Sequence, residues 1–212
     1  MNKNQININP MLLRLHPENP QPRLLNQIAD ILKKGGIIIY PTDTIYGLGC
    51  DINNHKAIER ICQIKNIDIR KAQLSFICKD LSNLSDYTKS IDTPLYRLLK
   101  SNLPGPYTFI LPASRLVPKI LKSKKNTVGI RVPDNVICQS IVEALGNPIL
   151  STTLPGEMVE EYTDPEIIHE KFKGQVDIVI DGGVGGAVPS TVIDCTTEEW
   201  HVTRQGVGEW EE

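Results

Sequence analysis

A short apolar run directly after a helical pattern limits the folds that are open to this sequence. Apolar residues recur at helical spacing across 22–34, with Pro22 near the start and Gly35-Gly36 at the end. Residues 37–40 then read IIIY, which is too short for a helix and lacks the alternation of a half-exposed strand. Such a run is typical of a strand covered on both faces. The pattern therefore predicts a layered protein in which helices pack on a central strand.

The rest of the chain continues this alternation. Helical spacing predicts further helices at 55–65, 93–101, 134–145 and 165–172, with Asp134 capping the third of them and Gly146 beyond its end. Short β-branched runs predict strands at 74–78, 107–112, 127–132, 148–152, 176–180, 190–195 and 200–204. Because several of these strands follow one another without a helix, the sheet should be mixed.

No linker-like or repetitive segment divides the chain. We therefore expect one α/β domain (of the α+β type) over residues 1–212, with a core at about 22–208. It should contain a large twisted mixed sheet flanked by helices.

The overall charge excludes a generally basic surface. Lys and Arg total 23 against 25 for Asp and Glu, giving a net charge of -2 and no global attraction to nucleic acid or anionic lipid. Residues 1–20 lack the apolar run of a signal peptide because Arg14 interrupts it, and no later run approaches membrane-spanning length. These observations predict a cytoplasmic protein without membrane contact, whose anion sites, where present, are local.

Cysteine and histidine usage argues against a metal centre. Five cysteines without a C-x-x-C pair lie in or beside apolar stretches, which predicts buried free thiols. The histidines show no metal-ligand spacing with one another or with any cysteine, so no metal site is expected: His16, His55, His169 and His201. No G-x-S-x-G elbow supports a hydrolase.

A hydroxyl-rich segment, PTDTIYGLG at residues 41–49, directly follows the predicted central strand. Ligands of open α/β sheets bind outside the carboxyl ends of strands, where hydroxyls and free N–H groups bind carboxylates or phosphates. The equally weighted alternative is a polar turn in which Thr44 caps a neighbouring element.

A basic cluster after the second predicted helix and a single arginine at a strand end can each be interpreted either as ligand-binding or as structural. Lys65 ends the second predicted helix, and Arg70 and Lys71 follow; they either bind phosphates or face solvent at a helix C-terminus. Arg131 ends an apolar strand, where a guanidinium needs an anion, either a ligand or an internal carboxylate.

Further hydroxyls lie at predicted strand ends, in Ser151-Thr152-Thr153 and at Ser190. The glycine-rich stretch Gly182–Gly186 is neither a P-loop nor a Rossmann fingerprint, and it is interpreted as a flexible turn.

Taken in order, segments from Gly35 to Gly208 resemble the YrdC/YciO family, whose better-known branch makes threonylcarbamoyl-AMP from ATP, bicarbonate and L-threonine. The matching segments are GGIIIYPTDTIYGLGCDI, ERICQIK, LPGPYTFIL, TVGIRVPDN, GNPILSTT, PSTVID and RQGVG. The ordered set is far more specific than any one motif.

The resemblance implies two sets of binding residues and a fold of the YrdC type. Threonine contacts fall on Thr44, Arg131 and Ser190. ATP contacts, with Mg²⁺ screening the pyrophosphate, fall on Lys65, Thr127, Ser151, Thr153 and Arg204. Lys65 and Arg131 are the implied catalytic residues. In the implied reaction, a carboxylated threonine attacks the α-phosphorus of ATP, as the first step of tRNA threonylcarbamoyladenosine modification.

Three positions depart from the active branch. The family's K-x-R reads Lys65-Asn66-Ile67, so that Arg70 is the candidate compensating cation. A histidine common in the next strand falls on Ile77, and the S-x-N-x-S-G stretch reads TLPGE at 153–157 without its asparagine. These departures favour the YciO-like branch and leave a different acceptor open. The alternative from another class is a noncatalytic module that binds double-stranded RNA or tRNA, as proteins of this resemblance are described.

Overall fold

The computed structural model describes residues 11–68, 74–82, 84–89, 91–118, 121, 126–156 and 162–210. Over these residues the helices are α1 Pro22–Lys33, α2 His55–Ile64, α3 Leu84–Tyr87, α4 Thr93–Asn102, α5 Val136–Leu145 and α6 Pro165–Lys171. The strands are β1 Met11–Arg14, β2 Ile38–Tyr40, β3 Gly47–Asp51, β4 Ser75–Ile77, β5 Tyr107–Pro112, β6 Thr127–Arg131, β7 Ile149–Thr153, β8 Ile178–Asp181, β9 Thr191–Asp194 and β10 His201–Arg204.

All of these strands join one sheet in the order β1-β8-β2-β3-β7-β4-β6-β5-β9-β10. Four neighbouring pairs are parallel, namely β1–β8, β2–β8, β4–β6 and β5–β9. The remaining pairs are antiparallel. The predicted α/β class with a large mixed sheet and flanking helices is therefore confirmed.

Strand alternation distributes the apolar side chains between the two faces of the sheet. Ile37 and Ile39 belong to a first cluster, on the face covered by α2, α4 and α6. Ile38 and Tyr40 belong to a second cluster, on the face covered by α1 and α5, which pack on each other. All four side chains are fully buried, so the IIIY run is covered on both faces as expected.

Two strands and a short helix were absent from the sequence prediction. β1 pairs in parallel with β8, and Arg14 Nε donates to Asp181 Oδ2 at 2.6 Å. β3 forms an antiparallel pair with β2, and the sequence predicted no strand there because Gly47 and Gly49 weaken strand propensity. The prediction that Asp134 caps α5 is wrong: Asn135 accepts from Cys138 N at 3.0 Å. Gly146 ends α5 as expected, at a φ of 84°.

The cysteines are free and buried, which confirms that prediction. Burial raises the pKa of each thiol, to about 12 for Cys78, Cys138 and Cys195.

Across the described part of the chain, no three His, Cys, Asp or Glu residues are grouped so as to hold a metal ion. None of the helices described is both long and apolar enough to cross a membrane.

Candidate active site

A cavity of about 550 Å³ opens beside the second cluster, on the same face of the sheet. Strand β7 shows how the sequence creates it, because alternate residues share a face. Ile149 packs in the cluster, whereas Ser151 and Thr153 line the cavity. Ser75 and Gly129 lie in register beside Ser151 and extend a floor of small residues across β4 and β6. On this face of the sheet, apolar side chains therefore lie under α1 and α5, and polar side chains lie in the adjacent cavity.

The cavity brings together most of the residues that the sequence singled out. Its wall includes Lys65, Thr127, Arg131, Ser151, Thr153, Ser190 and Arg204. Thr44 does not line the cavity but lies behind it, 2% exposed, against the Arg131 guanidinium. Arg70, the candidate compensating cation, and Lys71 lie outside the described residues.

Arg131 is held at one nitrogen by a cluster of oxygen atoms. Its Nη2 forms a short ion pair with Asp43 Oδ1 and donates to the hydroxyls of Thr44 at 2.6 Å and Thr42 at 3.2 Å. Asp43 also accepts from the backbone N–H of Asp134 at 3.1 Å, which links the guanidinium to the segment before α5. The internal carboxylate considered in the sequence analysis is therefore present. Arg131 Nε is nevertheless buried, and none of the described residues accepts a hydrogen bond from it.

Arg204 reaches the cavity from strand β10. Its Nη2 donates to the backbone oxygen of Ser190 at 2.9 Å and to the Ser190 hydroxyl at 3.2 Å. The Ser190 hydroxyl is also 2.9 Å from that of Thr108 on β5. Burial, and then the positive charge of Arg131, lower the pKa of Arg204. Two guanidinium groups therefore repel each other across this part of the site.

Lys65 follows α2 and directs its ammonium group at β7. Its Nζ donates to the backbone oxygen of Thr153 at 2.6 Å and to the Thr153 hydroxyl at 3.0 Å. Burial lowers the pKa of this lysine. Neither Lys65 nor Arg204 forms an ion pair with a described carboxylate.

The charge balance of the cavity favours an anion. Three cations, Lys65, Arg131 and Arg204, line its described wall, and no Asp or Glu does so. Among the described residues, only Arg131 of these three has a carboxylate partner, which is Asp43 behind the wall. Desolvated cations without counter-ions are stabilised when an anion enters, and hydroxyls at strand ends add hydrogen bonds. The site therefore suits a ligand with phosphate or carboxylate groups.

The cavity lining also contains apolar side chains, and one of them is at a position where the sequence departs from the active branch. Ile67 lines it together with Leu74, Ile110 and Leu121. Ile77 is buried in the second cluster, next to Arg131 in register. Leu154 is buried in the first cluster, and Glu157 lies outside the described residues. At position 67 the cavity has a hydrocarbon surface beside Lys65.

Three residues at the site, Tyr40, Asp43 and Thr108, had no site role predicted from the sequence. Asp43 belongs to the hydroxyl-rich segment, and its carboxylate next to two threonines was the available signal for a partner of Arg131. Thr108 precedes the core residue Phe109 on the same strand, so its side chain lies on the opposite face of the sheet, where the cavity is. The predicted strand was sufficient to infer this orientation. Tyr40 looked like an ordinary core residue.

The Gly182–Gly186 stretch, interpreted as a flexible turn, is hydrogen-bonded to the site. Gly186 N donates to Thr44 O at 2.7 Å, and the Tyr46 hydroxyl donates to Gly183 O at 2.7 Å. A Cβ at Gly186 would lie 2.4 Å from Thr44 O, so any larger residue would push the two segments apart. The stretch thus supports the loop that carries Thr42, Asp43 and Thr44.

The chain is similar to proteins from two branches of one family. It is 48% identical over 198 residues to the uncharacterized protein YciO of Escherichia coli strain K12, covering 92% of this chain and 95% of that protein. It is 31% identical over 185 residues to a threonylcarbamoyl-AMP synthase of Vibrio vulnificus strain YJ016, covering 86% of this chain and 98% of that protein.

Solved structures agree with these similarities. The crystal structure of E. coli YciO matches with a TM-score of 0.88 and 46% identity, over 94% of this chain and 97% of that chain. P. abyssi Sua5 complexed with L-threonine matches with a TM-score of 0.82 and 27% identity, over 92% of this chain and 57% of that chain. The Sua5/YciO/YrdC family model, described as "Telomere recombination", matches residues 30–206. The chain therefore belongs to the Sua5/YciO/YrdC family.

Proposed function

We propose that this protein is an adenylate-forming nucleotidyltransferase of the threonylcarbamoyl-AMP synthase type. Its substrates would be ATP, bicarbonate and L-threonine, and its product would serve tRNA threonylcarbamoyladenosine modification in the cytoplasm. The observation that carries the proposal is the cavity in which Lys65, Arg131 and Arg204 converge without a carboxylate in the described wall. The threonylcarbamoyl-AMP synthase of V. vulnificus and the threonine complex of P. abyssi Sua5 support this choice of substrates.

In the proposed reaction, bicarbonate first converts the amino group of threonine to a carbamate with loss of water. A carbamate oxygen then attacks the α-phosphorus of ATP, a new P–O bond forms, and the bond to the β,γ-pyrophosphate breaks. Both partners are anions, so their approach requires positive charge nearby. Lys65 and Arg204, which lack carboxylate partners among the described residues, would supply it, and Thr127, Ser151 and Thr153 would position the phosphates.

The carboxylate of threonine is assigned to Arg131, with Thr44 and Ser190 nearby. The buried Nε of Arg131 has no hydrogen-bond partner among the residues that the structure describes, and an unsatisfied N–H of this kind is stabilised by an incoming oxygen. Asp43 holds Nη2 and so fixes the plane of the guanidinium before the ligand arrives. A planar guanidinium can bind a carboxylate through two parallel N–H groups, a contact that the ammonium group of a lysine does not reproduce.

Magnesium would enter with the nucleotide as MgATP. The described wall contains no carboxylate to act as a metal ligand, and Mg²⁺ commonly retains water and binds through substrate phosphates. The chain's own cations would then bind the phosphate oxygens that Mg²⁺ leaves free.

A YciO-like enzyme with another acceptor is a second candidate, and Ile67 favours it. Its hydrocarbon side chain lies in the wall where the active branch has a second cation. Pyrophosphate release from MgATP, measured with threonine, with bicarbonate and with both, tests the first candidate. Pyrophosphate release that requires both threonine and bicarbonate supports the threonylcarbamoyl-AMP synthase activity. Release that does not depend on threonine supports an enzyme with another acceptor. A noncatalytic protein that binds double-stranded RNA or tRNA would bind RNA and release no pyrophosphate.

A further inference from the structure

Tyr40 is a core residue whose hydroxyl reaches the edge of the candidate site. It ends strand β2, is fully buried and packs in the second cluster. Its hydroxyl donates to the Ser151 hydroxyl at 2.6 Å, across the intervening strand β3. Ser151 is 5% exposed and lines the cavity, so this hydrogen bond joins the core to the site.

Two glycines make room for this contact. Gly47 faces Tyr40 in register, and Gly49 faces Ser151. A Cβ at Gly47 would lie 3.1 Å from Tyr40 Cζ and 3.2 Å from Ser151 Oγ; one at Gly49 would lie 2.9 Å from Tyr40 Cε1. The absence of side chains at both positions therefore lets the phenol ring lie over β3.

The direction of the hydrogen bond has a consequence for Ser151. Burial raises the pKa of the Tyr40 phenol far above its ordinary value, so the phenol keeps its proton. A phenol has one proton to donate, and a serine hydroxyl that accepts it retains its own hydrogen for another acceptor. Ser151 Oγ makes no other hydrogen bond with the described residues, and the cavity is the polar space beside it.

We propose that Tyr40 is a positioning residue that makes the Ser151 hydroxyl a donor aimed into the cavity, towards an anionic oxygen of the ligand. An accepted hydrogen bond also polarises the serine O–H and strengthens the bond that it donates. The proposal rests on the proposed function to the extent that the anion belongs to a nucleotide; the test therefore uses MgATP and inorganic pyrophosphate as separate probes.

The test is a double-mutant cycle on Tyr40→Phe and Ser151→Ala, with dissociation constants for both probes and the rate of pyrophosphate release. Tyr40→Phe keeps the ring and removes only the hydroxyl. We expect it to weaken probe binding by about threefold to tenfold, the range of one neutral hydrogen bond. In the Ser151→Ala background it should have no further effect, because the group that it orients is gone. Tyr96→Phe, on the exposed part of α4, is the matched control.

The outcomes separate the inference from the proposed function. Additive effects of the two substitutions, or a Tyr40→Phe protein that binds both probes as the wild type does, would overturn the inference while leaving the function intact. Coupled weakening of pyrophosphate binding without release from ATP would support the inference and count against the function. Wild-type protein that binds neither probe would overturn both.

Discussion

The Arg131 guanidinium and the Asp43 carboxylate form an ion pair at the cavity wall, and each side chain is 9% exposed. The two readings of Arg131 from the sequence, a ligand-binding residue and a partner of an internal carboxylate, are therefore compatible. Asp43 accepts a hydrogen bond from Nη2 of the guanidinium, whereas the buried Nε has no partner in the described part of the chain. The ion pair holds Arg131 in place, and the remaining N–H groups are the ones that a substrate would use.

The Arg131→Lys protein should keep its fold but bind the substrate carboxylate much more weakly. Lysine retains the charge beside Asp43 but cannot reproduce the planar group that binds a carboxylate through two N–H groups. Threonine-dependent pyrophosphate release should fall by at least about tenfold, since hydrogen bonds to charged groups contribute about 1.5–3 kcal/mol. The melting temperature of the same purified variant is the control. A destabilised variant with nearly full activity would show that Arg131 only pairs with Asp43.

Arg204→Ala should weaken MgATP binding by about 1.5–3 kcal/mol, the range for hydrogen bonds to charged groups. The physical reason is that burial and the charge of Arg131 both disfavour the Arg204 cation until an anion arrives. Arg97→Ala, exposed on α4, should leave the dissociation constant unchanged. If Arg204 were only a solvated strand-end residue, its removal would change stability by no more than about 0.5 kcal/mol and would not change binding.

Ile67→Arg should raise the rate of threonylcarbamoyl-AMP formation. The substitution places a second cation in the cavity wall close in sequence to Lys65, where the described lining has no carboxylate to capture it. Ile167→Arg on α6 is the matched control, because that isoleucine is 56% exposed. Product is measured by mass spectrometry with all three substrates present. A lower rate in a stably folded Ile67→Arg protein would favour an acceptor other than threonine.

Lys65 should make nucleotide binding depend on pH. Burial lowers its pKa below the ordinary value of 10.5, and a bound anion would raise it again. Affinity should therefore be highest below the free-state pKa, fall as pH rises through it, and level off above the bound-state pKa. Dissociation constants for MgATP from neutral pH to about pH 10 should show this slope. Lys65→Ala should abolish the slope and Lys56→Ala, exposed on α2, should keep it; an unchanged slope in Lys65→Ala would refute the assignment.

Much of the architecture could be predicted because it depends on local periodicity. The helices have apolar residues at the helical spacing that places them on one buried face. The IIIY run has an apolar residue at every position, as expected for a strand that is buried on both faces. Strand β3 was missed because it contains two glycines, which lower strand propensity. A Cβ at Gly47 would crowd Tyr40, and one at Gly49 would crowd Ile149, Leu150 and Tyr40, and these contacts between neighbouring strands cannot be read from propensity. Strand β1 was missed because its partner, β8, lies more than 160 residues away in the sequence.

The sequence indicated which residues belong to the site better than it indicated what each of them contacts. Hydroxyls and cations at the ends of strands and of one helix could be recognised. Seven residues that the resemblance assigns to binding line one cavity. The sequence could not show which carboxylate pairs with Arg131, because that depends on the distance between the loop after β2 and the end of β6. The support given by Gly182–Gly186 to Thr44 also depends on tertiary contacts.

The cavity around Lys65, Arg131 and Arg204 is proposed to bind ATP for adenylate transfer. Calorimetric titration of the wild-type protein with MgATP, alone and with threonine and bicarbonate, measures this binding. We expect saturable binding of MgATP at a single site, and a sustained heat of turnover only when threonine and bicarbonate are both present. No saturable binding of MgATP under any of these conditions would rule out the proposed activity.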